Sequence, residues 1–142
     1  MTSIQPPGHS PHVFAYTADN LVERYTPPAA GPQADALRFE YDLERKLDRL
    51  LRPDGTVVDY QYDTDARLSR IVVPQGSLQV GYNPLTAKVS TVTAPGGGQL
   101  VYTYDGGLLT RTAWSGAVAG SLERVYDQNL RVTSMTVNGQ NP

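Results

Sequence analysis

A tyrosine followed by aspartate, or a near relative of that pair, returns along this chain at an almost constant interval: Tyr41-Asp42, Tyr62-Asp63, Tyr82-Asn83, Tyr104-Asp105 and Tyr126-Asp127. The steps between successive tyrosines are 21, 20, 22 and 22 residues. Tyr16, 25 residues before Tyr41, opens a looser copy in Tyr16-Thr17-Ala18-Asp19-Asn20-Leu21. A second landmark keeps the same beat, with Pro53-Asp54-Gly55, Pro74-Gln75-Gly76 and Pro95-Gly96-Gly97 each 21 residues apart. A fixed period of this length marks a repeat architecture, in which one short unit stacks on the next and none buries its apolar side alone. The period divides the 142 residues into a single array of five to six copies: an irregular first copy over 8–36, then 37–56, 57–77, 78–99, 100–121 and 122–142.

Each copy reads as two strands. Before the Tyr-Asp pair the residues alternate, as in Leu37-x-Phe39-x-Tyr41, Val58-x-Tyr60-x-Tyr62, Leu78-x-Val80-x-Tyr82 and Leu100-x-Tyr102-x-Tyr104. Alternation with aromatic and β-branched residues is the pattern of a half-buried strand. Eight of the nine tyrosines share this register and only Tyr25 lies outside it, so one sheet face is expected to be aromatic. The intervening Arg38, Glu40, Asp59, Gln61, Gln79 and Thr103 face away. A second strand opens at Leu47, Leu68, Val89 or Val132, and its next apolar residue follows three positions on, at Leu50, Ile71, Val92 or Met135. A step of three breaks strict alternation and predicts a β-bulge or a strong local twist in every copy, since one extra residue moves later side chains to the other face.

The turns complete the unit. In Pro-x-Gly, proline presets φ for a type I turn and glycine accepts the positive φ that follows. Two segments depart from the beat, the insertion Pro27–Asp35 and the small-residue loop Ser115–Ser121, and both are expected to project from the sheet edge. The outcome is an all-β meander of about ten to twelve short strands with every neighbour antiparallel, because the short connections permit nothing else.

Composition limits what this array can do. Removing nine tyrosines from the 39% hydrophobic content and adding 13 glycines leaves about 42% apolar, against roughly 45–50% in globular chains. Any core is thin. Twelve basic against 14 acidic residues give a net charge of −2, without the positive footprint that nucleic-acid or anionic-membrane binding needs. Of the 26 charges, 15 lie between Arg38 and Arg70. There is no cysteine, hence no disulfide, thiol nucleophile or thiolate metal site. The longest apolar runs, such as Ile71-Val72-Val73, fall far short of the ~20 residues of a membrane-spanning helix. The Met1–Pro7 segment carries no signal-peptide pattern, and the finish at Asn138-Gly139-Gln140-Asn141-Pro142 falls at a turn, as expected of an excised fragment.

The motif set is similar to a known one. Tyr-x-Tyr-Asp, then Arg/Lys-Leu, then Pro-x-Gly resembles the YD repeat of the Rhs family, most clearly in Phe39-Glu40-Tyr41-Asp42, Lys46-Leu47, Pro53-Asp54-Gly55 and in Tyr60-Gln61-Tyr62-Asp63, Arg67-Leu68, Pro74-Gln75-Gly76. Later copies depart, with Asn83 for Asp, Lys88-Val89 for Arg-Leu and Gly106-Gly107 before Leu108. The family includes bacterial Rhs toxins, the C components of insecticidal toxin complexes, and teneurins. The resemblance implies β-hairpins that spiral into a hollow shell, which in the bacterial members holds a C-terminal toxic domain. Five to six copies are too few to close such a shell, so this chain would be a piece of its wall. The implied protein is exported or at the bacterial cell surface. The implied partners are neighbouring repeats and an enclosed toxin polypeptide, with self-association through open sheet edges.

Candidate sites are few. The tyrosine ladder, Tyr16, Tyr41, Tyr60, Tyr62, Tyr82, Tyr102, Tyr104 and Tyr126, either packs hairpin on hairpin or stacks on sugar rings or a captive polypeptide. With Asp42, Asp63, Asp105, Asp127, Leu47, Leu68, Val89, Pro53, Gly55, Pro74, Gly76 and Pro95 it forms the repeat's structural set. Trp114, beside the irregular loop, is the isolated contact residue for carbohydrate or a receptor in the alternative reading, an extracellular adhesion module. Asp59, Asp63 and Asp65 lie close enough to invite a hard cation, but no turn glycine sits among them; a turn in which Asp63 caps its own backbone is the competing reading. His9 and His12, three apart on a strand, point to opposite faces. No Gly-x-Ser-x-Gly, phosphate loop or cleft-bound carboxylate pair is present; Thr112-Ala113-Trp114-Ser115-Gly116 misses the first at its opening glycine. The expectation is no enzyme and no cofactor.

Overall fold

The computed structural model describes residues 1–28 and 36–140, so most of the Pro27–Asp35 insertion lies outside the described residues. The chain is all-β. Its strands are β1 (Thr2–Ile4), β2 (His12–Tyr16), β3 (Val22–Thr26), β4 (Leu37–Tyr41), β5 (Leu47–Leu51), β6 (Val57–Tyr62), β7 (Leu68–Val73), β8 (Gly76–Tyr82), β9 (Val89–Thr93), β10 (Gln99–Asp105), β11 (Leu108–Ser115), β12 (Gly120–Tyr126) and β13 (Val132–Val137). Strand order in the sheet is chain order. The residues group into two units, 1–61 with 71–74 and 62–70 with 75–142.

In the first unit every described ladder is antiparallel, and directly opposed residues share a face. Phe14 pairs with Tyr25 and Tyr25 with Leu37; Phe39 pairs with Leu50 and Leu50 with Val58. These rows form the aromatic face. The other face carries Ala15, Arg24 and Arg38, and then Glu40, Arg49 and Asp59. Val58, 4% exposed, is the one buried hydrophobic side chain among the described residues. It lies where the apolar row is flanked on β5.

The second unit repeats the scheme. Val80 opposes Val92, Val92 opposes Leu100, Leu100 opposes Trp114 and Trp114 opposes Gly120. A parallel row runs through Tyr102, Thr112, Leu122 and Val137. Its reverse face carries a row of small uncharged residues, Gly81, Thr91, Val101, Ala113 and Ser121, and beside it the ion pair of Arg111 and Glu123 at 3.3 Å.

The spacing of three in the second strands has a structural cause. In each described hairpin the register slips by one residue beside the last tyrosine: Tyr41 opposes Leu47 while Glu40 opposes Arg49, leaving Asp48 unpaired. The same slip isolates Glu23, Ser90, Thr110 and Thr133. The bulge returns Leu47 and Leu50 to one face, which two residues of separation would otherwise have been needed to do.

Five expectations are corrected. The described residues form thirteen strands, because β1, three exposed residues without alternation, pairs with β2 through Thr2–Phe14 and Ile4–His12. Tyr25 joins the aromatic face after all, opposite Phe14. The Pro-x-Gly landmarks do not all turn alike. Arg52 and Thr56, like Ala94 and Gly98, close five-residue loops with Gly55 and Gly97 at φ 81°, whereas Pro74-Gln75 is a two-residue turn and Gly76 already belongs to β8. Gly76 is required there, since a Cβ would lie 2.7 Å from Pro95 Cβ. Asp105 is a strand residue opposite Leu108, because Gly106-Gly107 make a turn too tight for it to cap. The irregular loop is shorter than read, with Ser115 in β11 and Gly120-Ser121 in β12.

Trp114 yields a direct test of this register. A Cβ on Gly120 would meet Trp114 Cζ2 at 2.5 Å and Cε2 at 2.7 Å, so the indole lies flat on a glycine backbone across the ladder. Gly120→Ala is expected to cost about 1–3 kcal/mol by overpacking and to shift the emission of the single tryptophan toward that of a solvated indole. Unchanged emission and stability would show that the ring does not lie there.

Candidate functional site

The site is built from the Tyr-Asp turn. Asp42 Oδ1 accepts from the Glu44 and Lys46 N–H groups at 2.8 and 2.9 Å. Asp63 Oδ1 accepts from Asp65 and Arg67 at 3.0 and 2.9 Å, and Asp127 Oδ1 from Asn129 and Arg131 at 2.8 and 2.9 Å. Asn83 substitutes its amide oxygen, taking Leu85 and Thr86. A side chain bonding its own backbone two residues on is how Asp and Asn fix turns. The fourth turn residue adopts the left-handed conformation, at Arg45, Ala66 and Leu130 with φ 63–65°. No glycine marks these positions, so the sequence gives no sign of them.

The turn aims its neighbours. Arg67 Nε donates to Asp63 Oδ2 at 2.9 Å, and its guanidinium carbon lies 4.4 Å from the Tyr82 ring centroid. Lys88 Nζ lies 4.9 Å from the Tyr104 centroid and also donates to the Gly106 carbonyl. The tyrosine hydroxyls reach backward along the chain. Tyr41 donates to the Val22 carbonyl at 2.9 Å, Tyr82 to Leu68 at 2.8 Å and Tyr126 to Leu109 at 2.9 Å. Val22 and Leu68 open the second strand of the preceding hairpin, and Leu109 is the second residue of its own. Tyr41, Tyr82 and Tyr126 thus tie their hairpins to the backbone of the one before, and a cation lies over the ring at Tyr82 and at Tyr104.

The remaining predicted residues fall around this joint. Tyr60, Tyr62 and Tyr102 are half-buried on β6 and β10. Leu47, Leu68 and Val89 open β5, β7 and β9. Asp59, Asp63 and Asp65 do not converge on a cation site: Asp59 binds Arg49 Nε at 2.9 Å, while Asp63 and Asp65 both bind Arg67. Asp63 caps its own turn. His12 Nδ1 lies 2.7 Å from the Tyr25 hydroxyl, its ring stacked on Tyr25, which stacks in turn on Phe14. His9 does not share this contact. Two open depressions of about 390 and 430 Å³ lie in the first unit, and the charged and aromatic residues lining them include Glu23, Phe39 and Glu40.

The carboxylates of Asp63 and Asp127 titrate below their ordinary value. Asp63 is held down chiefly by the Arg67 side chain and then by backbone N–H donors; Asp127 is held down chiefly by the Arg131 N–H. A carboxylate whose folded pKa is depressed binds its proton more readily when unfolded. Its contribution is complete above about pH 3.8, the ordinary value, and is lost as pH falls through the lower folded value. Asp63→Asn with Asp127→Asn keeps an acceptor at both turns, and the double variant is expected to show a flatter loss of stability between pH 4 and pH 2. Acid titrations by circular dichroism that superimpose for variant and wild type would contradict this.

The family model described as Teneurin YD-shell matches residues 1–141. No curated protein matches the sequence. Among solved structures, a chain in the crystal structure of TcdB2-TccC3-Cdc42 matches with a TM-score of 0.69 at 15% identity, over 92% of this chain and 8% of that one. The likeness shows a shared fold, and this chain spans under a tenth of that relative's length.

Proposed function

The chain belongs to the Teneurin YD-shell family, and on that premise we propose that it is a load-free stretch of wall in the β-shell of an exported bacterial toxin, enclosing a C-terminal toxic domain. The observation carrying this reading is the joint itself. Hairpins are tied by tyrosine hydroxyls to the preceding backbone, while Val58 alone among the described hydrophobic residues is buried. A layer stabilised by nearest neighbours and lacking its own core works as a surface to enclose something. Its lining need only be tolerant, and the reverse face of the second unit, with the small Thr91, Val101, Ala113 and Ser121 beside the paired charges of Arg111 and Glu123, meets that need. No helix among the described residues is long and apolar enough to cross a membrane.

The test is protease protection in the full-length protein that carries these repeats. The proposal expects further copies followed by an unrelated C-terminal domain that resists protease until the shell is opened. A parent with no such domain, together with saturable glycan binding lost on Trp114→Ala, would replace it with the adhesion reading.

A further inference from the structure

We infer that Arg24 and Arg38 form a carboxylate clamp on the charged face of the first unit, and that its ligand is an acidic polypeptide segment lying along that face. The two arginines oppose each other directly across the β3–β4 ladder, where the Cβ atoms of facing residues stand about 4.5–5.5 Å apart. Both side chains are exposed, and among the described residues neither has an ion-pair or hydrogen-bond partner. Like charges set face to face destabilise a ladder, so the pairing opposes folding. The next row along the same face is built differently. There Arg49 stands between Glu40 and Asp59, 3.6 and 2.9 Å from their carboxylates. One row carries its own counter-charges, and the other leaves two guanidiniums for a charge supplied from outside.

The surroundings select the ligand. Ala15 of β2 opposes Arg24 and Leu51 of β5 opposes Arg38, so the clamp opens onto the sheet face and not onto a sheet edge. Ala15 is short, and beside it both arginines line an open depression of about 390 Å³. A guanidinium fork matches a carboxylate bidentately, and two facing forks bracket one carboxylate between them. Glu23 and Glu40 line the same depression. They repel a polyanion such as a nucleic-acid backbone and admit single carboxylates spaced by neutral residues. Val13 and Thr26 continue the face without charge, which gives an uncharged neighbour of the bound side chain a place to lie. A polypeptide supplies both parts. The clamp deepens the wall reading by naming what the lining holds, and rests on that reading only for placing the segment inside a shell. Peptide binding by this chain and protease protection in its parent can fail separately.

Titration of the full chain with a peptide of alternating aspartate and serine, followed by the arginine Nε–H signals in NMR spectra, tests it. Saturable shifts at Arg24 and Arg38 are expected, with a dissociation constant of about 1 mM at low salt. The matching asparagine–serine peptide is expected to cause none. Arg24→Gln and Arg38→Gln are each expected to weaken binding about tenfold. Arg38→Lys, which keeps the charge but not the fork, is expected to weaken it about threefold. Without peptide, Arg24→Gln is expected to unfold at a slightly higher temperature than the wild type, because the facing charges are relieved. Absence of saturable shifts, equal binding of the asparagine peptide, or tighter binding of inorganic phosphate than of the aspartate peptide would each overturn the inference. So would indifference to Arg24→Gln and Arg38→Gln, or binding that appears only with Asp35→Asn.

Discussion

Replacing Tyr82 with alanine is expected to lower the stability of the chain by about 3 kcal/mol, while Tyr82→Phe costs about 1 kcal/mol. The difference separates the two things this side chain does. Phenylalanine keeps the ring under Arg67 and on the aromatic face but removes the donor to the Leu68 carbonyl. Alanine removes the ring as well. The estimate sits at the low end for a large aromatic because Tyr82 is half-buried. Tyr126→Phe, which loses the equivalent bond to Leu109, should match Tyr82→Phe. Urea denaturation followed by circular dichroism measures all three. A Tyr82→Phe variant as stable as the wild type would show that the hydroxyl joints do not hold hairpins together.

The second large effect comes from the apolar residue beyond the bulge. Asp48 is the unpaired residue of the β4–β5 bulge, and that extra residue is what lets Leu47 and Leu50, three apart, share one face. Leu50 faces Phe39 and Val58, so Leu50→Asp sets a carboxylate without a partner in the apolar row. The variant is expected to lose about 3 kcal/mol, read by urea denaturation of the full chain. Asp48→Ala, which keeps the bulge at an exposed position, is expected to stay within about 0.5 kcal/mol of wild type. Deleting Asp48 leaves Leu47 and Leu50 two apart and still on one face, so that variant is expected to fold. A Leu50→Asp variant as stable as the wild type would mean that the bulge does not return Leu50 to the aromatic face.

These two residues also show what the sequence could and could not disclose. The bulge was legible because Leu47 and Leu50 are both apolar and three apart, which no regular strand explains. The tie from Tyr82 was not, because its acceptor is a backbone carbonyl, identical in every residue. The left-handed turn residues were hidden for a related reason: they are Arg45, Ala66 and Leu130, none of which advertises a positive φ as glycine would. Asp63 as a self-capping residue was readable from its place after the strand. Asp105, in the same motif, was misleading because Gly106-Gly107 bring the chain round before a cap can form. Strand β1 left no trace, since three polar or exposed residues carry no period. Tyr25 fell outside the tyrosine register, yet the bulge at Glu23 moves it onto the aromatic face.

Native-state hydrogen exchange resolved residue by residue tests the central claim, that each hairpin is held by its neighbours through the tyrosine joint and not by a common core. The account predicts graded protection, lowest in β1 and β13. It also predicts that Tyr82→Phe lowers protection in β7 and β8 while leaving β2–β4 unchanged. Uniform protection across all strands, falling everywhere by the same factor in Tyr82→Phe, would contradict it.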